Sequence, residues 1–273
     1  MRRRSDFQSR AFVVCAAVLL VGAVTHATPA SADRRYFVGA YTPYLAPEGS
    51  LELETWVTAK VGKQEPTEHT SWEQREEFEY ALTDRLTGAF YLNYEQESGA
   101  PLRFVAPSIE AIYRLAPTGA IPGDPAVYLE TTETGEELEL ESKLLLARRS
   151  HRLVSVLNLV GEFEFRHNDE ELNPDGSVFR KQWATEIAAG TAVEIGTKLS
   201  LGLEARYRAE YPNFGPRAAA IVSLGPTINL QSEKVQFSLG VHPQLWGDPQ
   251  TKGNLNLVDF ERARVRAILG IDL

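Results

Sequence analysis

Residues 51–61 read LELETWVTAKV and residues 199–208 read LSLGLEARYR. Taken at every second position, each stretch splits into two rows. Leu51, Leu53, Val57, Ala59 and Val61 are apolar, as are Leu199, Leu201, Leu203, Ala205 and Tyr207. The interleaved row holds Glu52, Glu54, Thr58 and Lys60, then Gly202, Glu204, Arg206 and Arg208. A period of two is that of a β-strand, whose side chains alternate between faces. The pattern recurs roughly a dozen times, and no stretch beyond the first 32 residues keeps the helical period of 3.6.

What precedes the strands sets the compartment. Arg2, Arg3, Arg4 and Arg10 form a positive end, Ala11 to about Val24 an apolar run, and Ala30-Ser31-Ala32 a small-x-small cleavage site. This is the layout of a secretory signal peptide over 1–32. The apolar run is shorter than the roughly 20 residues of a spanning helix. Cys15 sits inside the run rather than at its end, which argues against lipoprotein processing. Loss of the leader removes four Arg, one Asp and the single Cys, leaving 24 basic and 36 acidic residues, a net charge of −12. No disulfide or thiolate chemistry remains, and so acidic a chain is a poor ligand for phosphate backbones, so nucleic acid is excluded as a partner.

Strands are expected near 50–62, 70–82, 86–97, 104–116, 125–132, 136–148, 152–166, 181–194, 198–210, 218–230, 235–247 and 259–272. The connections alternate between tight turns (Thr83 to Arg85, Arg149 to His151, Ile195 to Thr197, Gln231 to Lys234) and longer links. The links at Pro117 to Asp124 and Thr132 to Glu136 fit less cleanly. Short turns on one side and longer loops on the other, an aliphatic row on every strand and no helix to cover a sheet predict an all-β fold. The expected fold is a transmembrane antiparallel up-and-down β-barrel of about 12 strands over 50–273, greasy outside and polar inside, in the outer membrane of a Gram-negative-type bacterium. A soluble sandwich or lipocalin-like barrel alternates too, but turns its apolar face inward. Aromatics near strand ends (Trp72, Tyr80, Tyr94, Phe104, Tyr113, Trp183, Tyr211, Trp246, Phe260) match an interfacial girdle, although parity turns Trp56 and Trp246 inward. Residues 33–49 are expected as a periplasmic N-terminal segment, with folding into the barrel mouth as the alternative.

The inward row carries the candidate site. Glu130, Glu137, Glu139, Glu141, Glu162 and Glu164 form an acidic wall, in which the hairpin at Gly135 is expected to bring Glu130 close to Glu139. Arg206, Arg208, Arg262, Arg264 and Arg266 form a basic wall. In a ring of twelve, strand six stands opposite strand twelve, so the walls face each other. Close walls give a salt-bridged plug, and separated walls give a transverse field across a narrow channel. The expectation is a narrow charge-lined channel or binding pore for small solutes. The alternative is a closed barrel acting as a structural, adhesion or receptor protein through its outer loops.

Catalysis has no candidate. His69, His151, His167 and His242 show no ligand spacing, and no Gly-x-Ser-x-Gly elbow occurs. Ser238 and His242 share a face but stand roughly 13 Å apart along a strand. The loop at Asn168-Asp169-Glu170-Glu171 with Asn173, Asp175 and Gly176 is oxygen-rich without the ordered spacing of a calcium loop, and reads as a solvated outer loop. No enzyme, cofactor or metal is expected.

Several segments resemble an uncharacterised family of bacterial outer-membrane β-barrel proteins, sometimes labelled transporters. They are 47–58 (PEGSLELETWVT), 76–87 (EEFEYALTDRLT), Tyr128-Leu129-Glu130, Leu224-Gly225-Pro226, Pro243 to Gly247, Phe260 to Arg266 and Gly270 to Leu273. The resemblance spans most of the chain after the leader. It implies a membrane barrel with outer-membrane lipid and the barrel-assembly machinery as partners, and brings no substrate or catalytic residue. Such barrels usually end in an aromatic residue, and here Leu273 stands in that place.

Overall fold

The computed structural model describes residues 34–64, 69–167 and 179–273. The leader expected at 1–32, with Asp33, and the acidic loop 168–176 lie outside the described residues. Twelve strands follow in order: β1 (Leu51–Lys63), β2 (His69–Thr83), β3 (Leu86–Gln96), β4 (Arg103–Arg114), β5 (Ala126–Glu133), β6 (Glu137–Ser150), β7 (Leu153–His167), β8 (Phe179–Ile195), β9 (Leu199–Pro212), β10 (Ala219–Gln231), β11 (Val235–Asp248) and β12 (Ala263–Asp272). Each pairs antiparallel with its chain neighbours, and β1 pairs with β12 from Glu52 opposite Asp272 to Val61 opposite Ala263, closing the barrel. Closure leaves no strand edge with unpaired backbone groups, which is what hydrocarbon requires.

The two rims differ. At one, the strands join through the tight links 84–85, 151–152, 196–198 and 232–234 and through the longer 115–125. The ends of β1 and β12 lie at this turn rim. The other, the loop rim, carries 97–102, 213–218 and the long 249–262, but also the short 134–136. These two exceptions are the links that fitted the length alternation poorly.

The aliphatic row faces outward. Leu51, Val57, Leu129, Leu157, Ile187, Leu203 and Leu230 are exposed, while Glu54, Thr58, Glu110 and Glu204 from the other row are buried. Trp72, Tyr80, Phe104 and Tyr113 are exposed near strand ends, as a girdle requires. Two aromatic expectations differ. A bulge between Val222 and Ser223 slips β11 by one residue, so Trp246 sits opposite Val222 on the outer face rather than inward. Phe260 packs against Ala219 and Ile221 under the 249–262 link and is buried. That link also delays β12 to Ala263, because Asn256 ties it to β11: its N–H donates to Gln244 Oε1 at 2.7 Å and its side-chain amide to the Asp248 carbonyl at 3.3 Å.

The larger difference lies at the N-terminal segment. Residues 34–46 do not form a linker outside the barrel. They enter the lumen from the turn rim, turn at mid-height and return. Arg34 begins at that rim, donating to Gln231 at 2.6 Å. Glu48 leaves there, its N–H donating to Asp84 at 3.1 Å. Tyr36, Phe37 and Ala40 pack with Ala147, Val154, Val156, Ala188 and Ala192, and Val38 and Tyr41 pack with Trp56, Ile112, Tyr128, Leu145 and Ile268. The hydrophobic core is therefore inside the barrel, around this segment. Burying Phe37 and Val38 contributes roughly 1.5–3 kcal/mol each. Gly190 and Gly240 make the room: a Cβ on either would come within 2.5 Å of Phe37 or 2.4 Å of Val38.

Candidate functional site

An irregular segment inside a barrel must have its backbone satisfied by something other than a ladder. Here the wall does it with side chains. Glu204 accepts from the N–H groups of Val38 (3.2 Å) and Ala40 (2.7 Å). Asn158 accepts from Tyr41 N–H at 2.7 Å and donates to its carbonyl at 3.0 Å. Gln236 accepts from Arg35 N–H at 3.0 Å, Ser238 donates to the Arg35 carbonyl at 2.9 Å, Thr227 to that of Tyr36 at 3.2 Å, and Arg266 to that of Val38 at 3.1 Å. The segment fills the half of the lumen next to the turn rim, where the cavity left beside it is only about 30 Å³.

The half next to the loop rim holds a cavity of about 800 Å³ whose lining includes Val38, Gly39 and Tyr41 together with charged groups of both walls. Five of the six acidic-wall residues form one patch on adjacent strands: Glu130 opposite Glu141, Glu139 opposite Glu164, and Glu141 opposite Glu162. Glu130 therefore neighbours Glu141, and Thr132 takes the place expected for it beside Glu139. Glu137 lies next to this patch, opposite Arg166. Of the basic wall, Arg206, Arg208, Arg264 and Arg266 line the cavity. Arg262 precedes β12, lies over Gly62, and is not part of the lining.

The walls do not simply confront each other. Arg208 crosses β8 to grip Glu162 with both nitrogens, at 2.9 and 2.6 Å, and also reaches Glu210 at 3.2 Å. Glu137 pairs with Arg166 at 2.6 Å, which also reaches Glu164 at 3.1 Å, and Glu141 pairs with Lys143 at 2.7 Å. Glu130 is held by Arg75 and by the Tyr128 hydroxyl. Arg206 pairs with Glu186 at 2.5 Å, and Arg264 with Glu261 at 2.7 Å. Burial favours the neutral form of Glu261, but Arg264, Lys60 and Arg206 outweigh it and hold its carboxyl down at about 2. Two of the described wall residues that line the cavity stand outside these ion pairs. Among the described residues Glu139 has no pairing side chain. Arg266 has no carboxylate within salt-bridge distance and is held by Thr58, at 2.8 Å, and the Val38 carbonyl.

Sequence reasoning missed Arg75, Arg166, Glu186 and Glu261, and left Lys143 out of the walls although it shares the charged face of β6 with Glu137, Glu139 and Glu141. Lys143, Arg166 and Glu186 stand in the polar rows of β6, β7 and β8 and were legible by parity. Arg75 and Glu130 are 55 residues apart on β2 and β5, and meet only because the barrel curves.

A comparison with curated proteins finds no match. Among solved structures, the chain is similar to the COG4313 outer membrane channel from Pseudomonas putida F1, at 13% identity and a TM-score of 0.57, covering 87% of this chain and 100% of that one. It is also similar to the NanC porin, at 8% identity and a TM-score of 0.50, covering 82% and 98%. At these identities the likeness is one of fold, that of outer-membrane barrels. The model described as "Family of unknown function (DUF6662)" matches residues 29–119 and 125–273. With nearly the whole described barrel inside that match, the chain belongs to the DUF6662 family of unknown function.

Proposed function

We propose that this protein is a small-solute channel of the bacterial outer membrane, with an outward-facing binding vestibule and a gate made of its own residues 34–46. The carrying observation is the cavity of about 800 Å³, floored by Val38, Gly39 and Tyr41 and lined by charges of both signs. Glu139 on β6 and Arg266 on β12 stand on opposite sides of the ring and outside the ion pairs, among lining groups of both signs, so the vestibule suits dipolar or zwitterionic solutes. The turn rim then faces the periplasm, with the chain entering from the side where a cleaved secretory leader leaves it. Lipid contacts the aliphatic face, the assembly machinery inserts the barrel, and the lumen chemistry is binding and passage rather than catalysis. That two barrels of similar fold are described as a channel and a porin supports this reading.

Planar-bilayer recording tests it. The intact chain is expected to show small or rare conductance steps, and a heat-modifiable variant lacking residues 34–46 larger and frequent ones. In that variant Glu139→Gln is expected to lower cation preference and Arg266→Gln to lower anion preference. A filled turn-side half also favours a closed barrel acting through its outer loops. Silence from both the intact chain and the deletion variant selects that second reading. Conductance indifferent to the deletion rejects the gate.

A further inference from the structure

The inner turn of the inserted segment is held at Val38 from two sides. Glu204 accepts from its N–H at 3.2 Å, and Arg266 donates to its carbonyl at 3.1 Å. The two grips differ. Glu204 is buried and also accepts from Ala40 N–H at 2.7 Å. Arg266 lines the vestibule, and the two groups that accept its hydrogen bonds, the Thr58 hydroxyl and this carbonyl, are both neutral. Arg264, on the same row, has Glu261 at 2.7 Å. Gly240 stands opposite Arg266 in the β11–β12 register. Over its bare Cα the Val38 side chain and the His242 imidazole meet: a Cβ there would lie 2.4 Å from Val38 Cγ2 and 3.0 Å from His242 Cε1. The His242 side chain lines the vestibule and is only 10% exposed. Its Nε2 makes no hydrogen bond, and Glu204 Oε2 lies 3.5 Å away. A guanidinium with neutral partners, a buried imidazole nitrogen with none and the tip of the segment thus adjoin at the vestibule floor.

A guanidinium binds a carboxylate more strongly than a peptide carbonyl, because both partners are charged and two parallel N–H···O bonds can form. The Val38 carbonyl is therefore the weaker competitor for Arg266. We propose that the vestibule floor receives the carboxylate of a monoanionic solute, taken by Arg266 with the Nε2–H tautomer of His242 as a second donor. Its binding draws Arg266 off the Val38 carbonyl and releases the segment. One negative charge matches one guanidinium without a carboxylate of its own, and Glu204 beside His242 disfavours a second. The solute binds the released state better by the same factor by which it favours release. The inference rests on the channel reading for the segment's role as a gate, but binding and release are measurable without conduction.

The test uses the refolded, heat-modifiable chain in lipid vesicles. Sodium gluconate, a hydroxylated monocarboxylate, replaces sodium chloride at fixed ionic strength, and glucose is its uncharged counterpart. An Ala40→Cys reporter in a Cys15→Ala background carries the only thiol. It is expected to react with a maleimide several-fold faster in gluconate and no faster in glucose. Arg266→Gln is expected to raise labelling without solute, since Val38 loses its donor, and to abolish the gluconate response, while Arg266→Lys keeps part of it. By reciprocity, calorimetry is expected to show several-fold tighter gluconate binding to the chain lacking residues 34–46 than to the intact chain. Labelling indifferent to gluconate, an equal effect of glucose, or a response that survives Arg266→Gln overturns the proposal. Conductance through the deletion variant would then still support the channel. Silence of both chains in bilayers, with labelling that rises in gluconate, rejects the channel and keeps the carboxylate site. The reporter chain decides even if an Arg266 variant fails to fold.

Discussion

Single side chains divide into those that hold the lumen together and those that, on the proposed channel reading, remain available to a solute. Glu162 belongs to the first kind. Its two oxygens are taken by Arg208, and losing them leaves a guanidinium inside the barrel with Glu186 at 4.0 Å and Glu210 as its remaining partners. Breaking a dry pair costs about 3–5 kcal/mol; with those two carboxylates and a bordering cavity, Glu162→Gln is expected to cost about 2–3 kcal/mol. Glu139 belongs to the second kind. It adds repulsion to Glu164 opposite and has no described pairing side chain, so Glu139→Gln is expected to leave stability level or slightly raised. Urea unfolding of both variants in lipid vesicles measures the contrast, and equal losses would show that the two glutamates play the same part. The polar row was readable at this scale, since parity alone turned these glutamates and arginines inward. Their partners were not, because pairing depends on which row sits level with which across the strands.

At the scale of elements, the inserted segment and the strands it touches act as one fitted unit. Phe37 lies over Gly190 and Val38 over Gly240, contacts that leave no space for a methyl group. Gly190→Ala and Gly240→Ala are therefore expected to unseat the segment at a cost of about 1–3 kcal/mol each, while the barrel itself stays closed. An Ala40→Cys reporter, buried in the parent, is expected to react with a maleimide several-fold faster in either background. Unchanged labelling with unchanged heat modifiability would mean that the segment is not held at these contacts. Nothing in residues 34–46 announces insertion. The stretch has no period, and its N–H groups are satisfied by Asn158 and Glu204, 117 to 166 positions away in sequence.

For the whole molecule, lipid contact on the aliphatic row is the governing condition. Leu203 is 46% exposed on the outer face of β9, well away from both rims. Leu203→Arg is expected to destabilise the barrel in bilayers by about 2–4 kcal/mol. Measured in vesicle folding titrations, a loss below about 0.5 kcal/mol would place that face in water. The number of strands, their antiparallel order and, away from the β11 bulge, the direction each row faces were set by the sequence alone. Alternation is local, and hydrocarbon on one side of a closed sheet allows one assignment of it. Only the tertiary structure decided that residues 34–46 fill half the lumen, that Arg75 meets Glu130, and that Arg266 reaches the Val38 carbonyl. Those contacts depend on closure, bulges and register between distant strands, and no local stretch of the chain carries that information.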